Sequence, residues 1–169
     1  MGGFMKIVAL LSLLLGSKFA AAQSETTVTF RDLQWGVGVT SIHGLKEVES
    51  TGEFTCHTKA GEKLNVGDAA LERIRYCFYK NKFGYVIIDY KRKVNQITLK
   101  DVLDQKFGSP YRPNRFTNDY WWNFGKEVAI HMDYSASIDK GTIIYRYKPV
   151  ADLQAQDQKS SNSDAADDL

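Results

Sequence analysis

The strongest signal in the chain is an alternation of apolar and polar positions in "RIRYCFYKNKFGYVIIDY", where Ile74, Tyr76 and Phe78 alternate with Arg73, Arg75 and Cys77. A period of two puts alternate side chains on opposite faces of a strand, and "KNK" interrupts two such runs, so the segment predicts a β-hairpin. With a three-residue loop at Lys80–Lys82, Tyr79 pairs with Phe83. That register sets Ile74 opposite Ile88 and Tyr76 opposite Val86 on one face, with Arg73 opposite Asp89 on the other.

The period then changes. In "NQITLKDVLDQKFGSP" the apolar residues Leu99, Val102, Leu103 and Phe107 fall on one side of a helix over about 96–107. Thr98 and Asp101 can cap its first turn, and Gly108 and Pro110 can end it. Strand periodicity returns in "NDYWWNFGKEVAIHMDY" and "KEVAIHMDYSASIDKGTIIYRYKP". Val128, Ile130, Met132 and Tyr134 should face the core. If Gly125 and Lys126 form a two-residue turn, Trp121 lies opposite Ile130 inside. Trp122 then lies opposite Ala129 outside, on a candidate binding surface of Tyr120, Trp122 and His131. A three-residue bulged loop reverses that parity and buries Trp122.

Upstream, "TVTFRDLQWGVGVTSIHGL" predicts a short strand running into a loop, "GEFTCHT" another short strand, and "KAGEKLNVGDAA" a turn-rich connection. Strands, then a helix, then strands predict an α+β domain: an antiparallel sheet of two hairpin-based halves with one main helix on one face.

The ends change this picture. Lys6 precedes the apolar run "IVALLSLLLG", and "SKFAAAQS" follows with an A-x-A pattern, so residues 1–22 read as a cleaved secretory signal peptide. The apolar run is shorter than the roughly 20 residues a spanning helix needs. Residues 23–151 are then one domain, with no transmembrane segment after cleavage. Residues 152–169, with five aspartates, one lysine and no aromatic group, are expected to be a disordered acidic and serine-rich tail. The leader takes two of the 22 basic residues and none of the 20 acidic ones, leaving 20 of each. The basic residues of the domain are interspersed with aromatics and aspartates and form no stripe, so no nucleic-acid partner is expected.

Cys56 and Cys77 are the only cysteines, and in an oxidising compartment they are expected to form one disulfide. There is no C-x-x-C to favour redox chemistry. His43, His57 and His131 are the only histidines and none has a metal-type partner at helical spacing. His131 and Asp133 share one strand face, but a metal site needs three or four ligands. No G-x-S-x-G and no nucleotide-binding glycine fingerprint occurs. No catalytic residue, metal or cofactor is assigned.

Taken in order, "FRDLQWG", "IRYCFYKNKFGYVIIDY", "LDQKFGSP" and "YWWNFGKEVAIHMDY" resemble a loose group of small exported bacterial proteins. That group opens with F-x-x-x-x-W-G, continues through a Y-x-F hairpin and an L-x-x-x-F/Y-G-x-P helix end, and reaches a W-containing strand. The second half is similar to the helix-plus-hairpin unit of the small lipoprotein subunit of the outer-membrane β-barrel assembly machinery. The match spans most of residues 30–147. Its motifs are turn glycines, helix stops and core aromatics, so it implies a fold and no catalytic residue. The lipobox cysteine of that subunit is absent.

The expectation is a non-enzymatic, periplasmic or secreted protein-interaction module of the cell envelope, whose partner is an envelope or secreted protein. Two alternatives stand beside it: an inhibitor or immunity protein that neutralises an envelope or wall-degrading enzyme, and a hydrolase with a dispersed site.

Overall fold

A computed structural model describes residues 28–167; the expected leader at 1–22 lies outside the described residues. In chain order the elements are β1 (Leu45–Thr51), β2 (Phe54–Lys59), β3 (Asn65–Val66), β4 (Ala69–Ala70), β5 (Arg73–Tyr79) and β6 (Lys82–Lys91). Then come α1 (Lys93–Phe107), β7 (Asn118–Phe124), β8 (Val128–Ser135), β9 (Lys140–Tyr147) and α2 (Lys148–Asp167). Seven strands form one antiparallel sheet in the order β1-β2-β5-β6-β9-β8-β7, and β3 and β4 pair separately. This is the expected α+β class, with the β5–β6 hairpin and the β7–β8–β9 meander joined where β6 pairs with β9.

The alternation seen in the sequence sorts the side chains. Ile74, Tyr76 and Phe78 of β5, Val86, Ile88 and Tyr90 of β6, Ile143 and Tyr145 of β9, and Ile130 and Met132 of β8 share the inner face and are buried. Helix α1 covers this face with Leu99 and Leu103. The N-terminal segment adds Phe30, whose ring sits 5.3 Å from that of Tyr145, and Trp35, stacked on Phe83 at 4.8 Å. Tyr90 lies across Gly141 and donates its hydroxyl to the Asp133 carbonyl at 2.5 Å. A Cβ at Gly141 would overlap that ring, so the crossing needs glycine there.

The first hairpin keeps the predicted pairs Ile74–Ile88, Tyr76–Val86 and Arg73–Asp89 by a different route. Its turn is the two residues Lys80 and Asn81, with φ of 47° and 58°, the left-handed pair a tight hairpin turn requires. Phe78 therefore pairs with Phe83, and a register shift at Gly84 restores the predicted alignment beyond it.

Helix α1 starts three residues before the expected 96, after Arg92 turns the chain at φ 71°. Its first turn buries Asn95 and Gln96. Asn95 makes this tolerable by donating to the Lys91 carbonyl at 2.8 Å and accepting from the Ala70 N–H at 3.2 Å. Thr98 bonds back to the Val94 carbonyl inside the helix instead of capping it, whereas Gly108, at φ 80°, does end it.

The largest departure is at the C-terminus. Residues 152–169 were expected to be disordered, yet α2 runs to Asp167 and its first turns dock on the sheet. Val150, Gln154 and Asp157 recur at helical spacing on the docked side. Val150 is buried against Gly84, Tyr85 donates to Gln154 at 2.6 Å, and Tyr79 donates to Asp157 at 2.8 Å. Asp157 also meets Lys80 at 2.9 Å. A segment too polar to build its own core can still be held where tyrosine hydroxyls and one apolar socket are supplied by the sheet. The folded domain therefore extends past residue 151. Among the described residues no helix is long and apolar enough to cross a membrane.

Candidate interaction surface on the outer face of the sheet

The second face of the sheet carries the alternate residues of the same strands, and cross-strand pairing arranges them in rows. One row runs Cys56, Cys77, Tyr85, Arg146, Ala129 and Asn123; the next includes Arg75, Ile87, Ile144, His131 and Trp121; a third includes Arg73, Asp89, Thr142, Asp133 and Asp119. Cys56 and Cys77 are directly opposed and bridged, as expected from the cysteine count. Helix α2 lies at the Tyr79–Tyr85 end.

Among the described residues the face beyond α2 is open. A groove of about 340 Å³ has Ile87 and Ile144 among its lining, with Phe54 and Tyr85 on the α2 side and Trp121 and His131 on the other. Phe54 and Tyr85 meet edge to face at 5.6 Å. Trp121 stacks on His131, with centroids 4.0 Å apart and planes 17° apart. His131 Nε2 lies 2.8 Å from Asp119 Oδ1, which fixes the imidazole against the indole. The loop before β7 bonds back to it: Tyr111 and Trp121 exchange both backbone hydrogen bonds at 2.8 Å, so the outer edge of β7 is partly paired.

The charges on this face are mostly neutralised. Arg75 meets Glu49 and Asp89, and Arg73 meets Asp89 at 2.9 Å. Asp133 accepts from the Thr142 N–H at 3.1 Å. Burial pushes its carboxyl above the usual range, and that hydrogen bond opposes the rise. Arg146 is the exception: among the described residues it makes no ion pair within 4.0 Å and no side-chain hydrogen bond.

Of the three residues expected to form a binding surface, only His131 lies on this face. Tyr120 and Trp122 point inward, Trp122 at 3% exposure with its Nε1 donating to the Gly108 carbonyl at 2.8 Å. Lys100 and Arg112 each sit 5.1 Å from the centroid of the Tyr120 ring. The cause is the turn. It comprises Gly125, Lys126 and Glu127, with Gly125 at φ 51° and the Glu127 N–H bonded to the Phe124 carbonyl. Trp122 therefore pairs with Ile130 and Trp121 with His131, the reverse of the two-residue reading. The sequence did hold a cue to the outer groove. Adjacent apolar pairs, Ile87–Ile88 and Ile143–Ile144, place one isoleucine on each face, so both faces had to carry apolar surface.

The other histidines lie elsewhere. His43 is exposed, and His57 is buried on the inner side with its ring edge-to-face on Phe78 at 5.3 Å. Among the described residues no group of three or more His, Cys, Asp or Glu is placed to hold a metal ion. No protein-family model, curated protein or solved structure matches the chain.

Proposed function

We propose that the protein is a non-enzymatic interaction module of the cell envelope, periplasmic or secreted, and that it engages a protein partner through the open half of the outer face. One observation carries this reading: Ile87, Ile144, Tyr85, Phe54 and Trp121 form a half-buried apolar groove on a sheet whose other face already holds the core. An antiparallel sheet needs only one dry face, and its second is normally polar. Apolar surface gathered in a concave site on that second face is the usual mark of an interface.

The compartment rests on the sequence of the leader and is supported by the Cys56–Cys77 bridge, which persists in oxidising surroundings. The resemblance of the second half to the small assembly lipoprotein supports looking for the partner among envelope proteins. If the partner is a wall-degrading enzyme, the same groove serves an inhibitor.

The test compares the purified full-length chain with Ile144→Lys in pull-downs from the envelope of the producing cell. A partner retained by the first and lost by the second, with both proteins folded, supports the reading; a partner retained equally by both contradicts it.

The His131–Asp119 pair favours a second reading, a hydrolase with a dispersed site, since a carboxylate-oriented imidazole is the usual general base. None of the side chains lining the groove is serine, threonine or cysteine, so water would be the nucleophile. Hydrolysis of wall or peptide substrates abolished by His131→Asn would establish this reading.

A further inference from the structure

The outer groove combines an apolar floor with one cation, Arg146, that makes no ion pair within 4.0 Å among the described residues. Arg146 stands on β9 between Tyr85 and Ala129, one row from Ile144, while Arg73, Arg75 and His131 on the same face each meet a carboxylate. No acidic side chain lines the groove. Beside Arg146 in that lining, Gln154 of α2 gives its carbonyl oxygen to the Tyr85 hydroxyl, so its amide N–H groups remain available. Two donor groups thus border an apolar floor with no acceptor among the described residues.

We infer that this groove is a binding site for the C-terminal end of a partner polypeptide, with an apolar last residue over Ile87 and Ile144 and the terminal carboxylate on Arg146 and Gln154. The inference rests on the interaction-module reading and specifies the partner's chemistry.

Three features lead to this occupant. The first is charge: an apolar internal segment brings no obligatory anion, whereas a chain terminus always brings one carboxylate, which a guanidinium binds bidentately. The second is shape. About 340 Å³ holds one large side chain with its terminal peptide unit, and the groove is open along one side. Small-molecule sites usually enclose most of their ligand; an open groove suits an end whose body continues into solvent. The third is the helix. α2 crosses the face at Tyr79 and Tyr85 and closes that end of the groove, so a chain lying along the strands must stop there. At the far end Arg73 and Arg75 are held by Asp89, and His131 by Asp119, so those groups offer a carboxylate no unpaired donor, and Arg146 sets the orientation of the terminus.

The test uses the full chain and fluorescently labelled Gly-Ser peptides ending in Val-Phe, as free acid and as amide, with 3-phenylpropionate as unlabelled competitor. Anisotropy titrations are expected to show the free acid binding at least about tenfold tighter than the amide, the scale of a charged hydrogen bond. Arg146→Gln should erase that difference while leaving the amide unchanged. Ile144→Lys should abolish binding of both, with circular dichroism showing that the fold is kept. Equal binding of acid and amide would overturn the inference, as would a difference that survives Arg146→Gln. Phenylpropionate competing as well as the peptide acid would overturn the polypeptide as occupant. No peptide binding would also overturn it. If an envelope partner were still lost specifically by Ile144→Lys, the interaction-module reading would stand without it.

Discussion

The two faces of the sheet are made by the same strands and are finished differently. The inner face is closed by α1, by Leu99 and Leu103 and by the aromatic residues of the N-terminal segment, and its side chains are almost wholly buried. Among the described residues the outer face is covered where α2 docks, through Val150 and a few polar contacts, and a groove lies beside the helix. Neighbouring residues show the contrast directly: Ile143 is 2% exposed, while Ile144 is half-buried in the groove. One dry face suffices to hold a sheet of this size, which leaves the other free to serve recognition.

The largest expected effect separates those two isoleucines. Ile143→Lys buries an unpaired ammonium and should cost about 4 kcal/mol or more, enough to unfold a domain of ordinary stability. Ile144→Lys can turn its ammonium to solvent and should shift the melting temperature little. Thermal melts of the pair check this, and equal unfolding would mean that the outer face is core.

The tryptophans give the next contrast. Trp122→Ala removes a buried indole and its hydrogen bond to Gly108, a loss of about 3–5 kcal/mol, and Trp121→Ala should cost about 1 kcal/mol. Urea titration distinguishes them, and the opposite order would restore the two-residue turn.

Removing the Cys56–Cys77 bridge by changing both residues to alanine should lower stability by about 3 kcal/mol through release of the unfolded chain, with the strand pairing unchanged. An effect near zero in denaturant melts would show that the sheet does not need this tie.

The smallest effect concerns pH. Asp133 binds its proton more tightly in the native state, because burial raises its pKa. Its contribution is fully present below the ordinary carboxylate value of 3.8 and is lost as pH rises through the raised native one. At neutral pH the buried charge therefore costs stability. Asp133→Asn keeps an oxygen for the Thr142 N–H and should melt slightly higher than the parent at pH 7, with the gap closing as pH falls toward 3.8. A gap that widens on acidification would reverse the sign.

Legibility in the sequence depended on local chemistry. The strands around Ile74, Val86, Ile130 and Ile143 declared themselves by alternation, and the helix end by Gly108. In both hairpins the turn length was misjudged by one residue, with opposite consequences. At Lys80–Asn81 the register shift at Gly84 cancelled the error, so the predicted pairs are present. At Gly125–Glu127 nothing cancelled it, and Trp121 and Trp122 exchanged faces. Turn length follows from local backbone preferences of a few residues, while parity decides the fate of every side chain beyond it. Strand β1, polar throughout apart from Leu45 and Val48, carried no period to find. Helix α2 was missed because its anchors, Tyr79, Tyr85 and Gly84, lie about seventy residues away in the chain. Arg146 gave no signal, since its isolation depends on which acids the fold brings near.

The proposed contact surface is the open half of the outer face, and not another exposed region. A photo-crosslinking side chain placed at residue 121 in the groove, and separately at the exposed Ile97 of α1, tests it in intact producing cells. A discrete protein adduct is expected from position 121 that disappears when Ile144→Lys is added, and none from position 97. The same adduct from both positions, or one from 121 that survives Ile144→Lys, would contradict it.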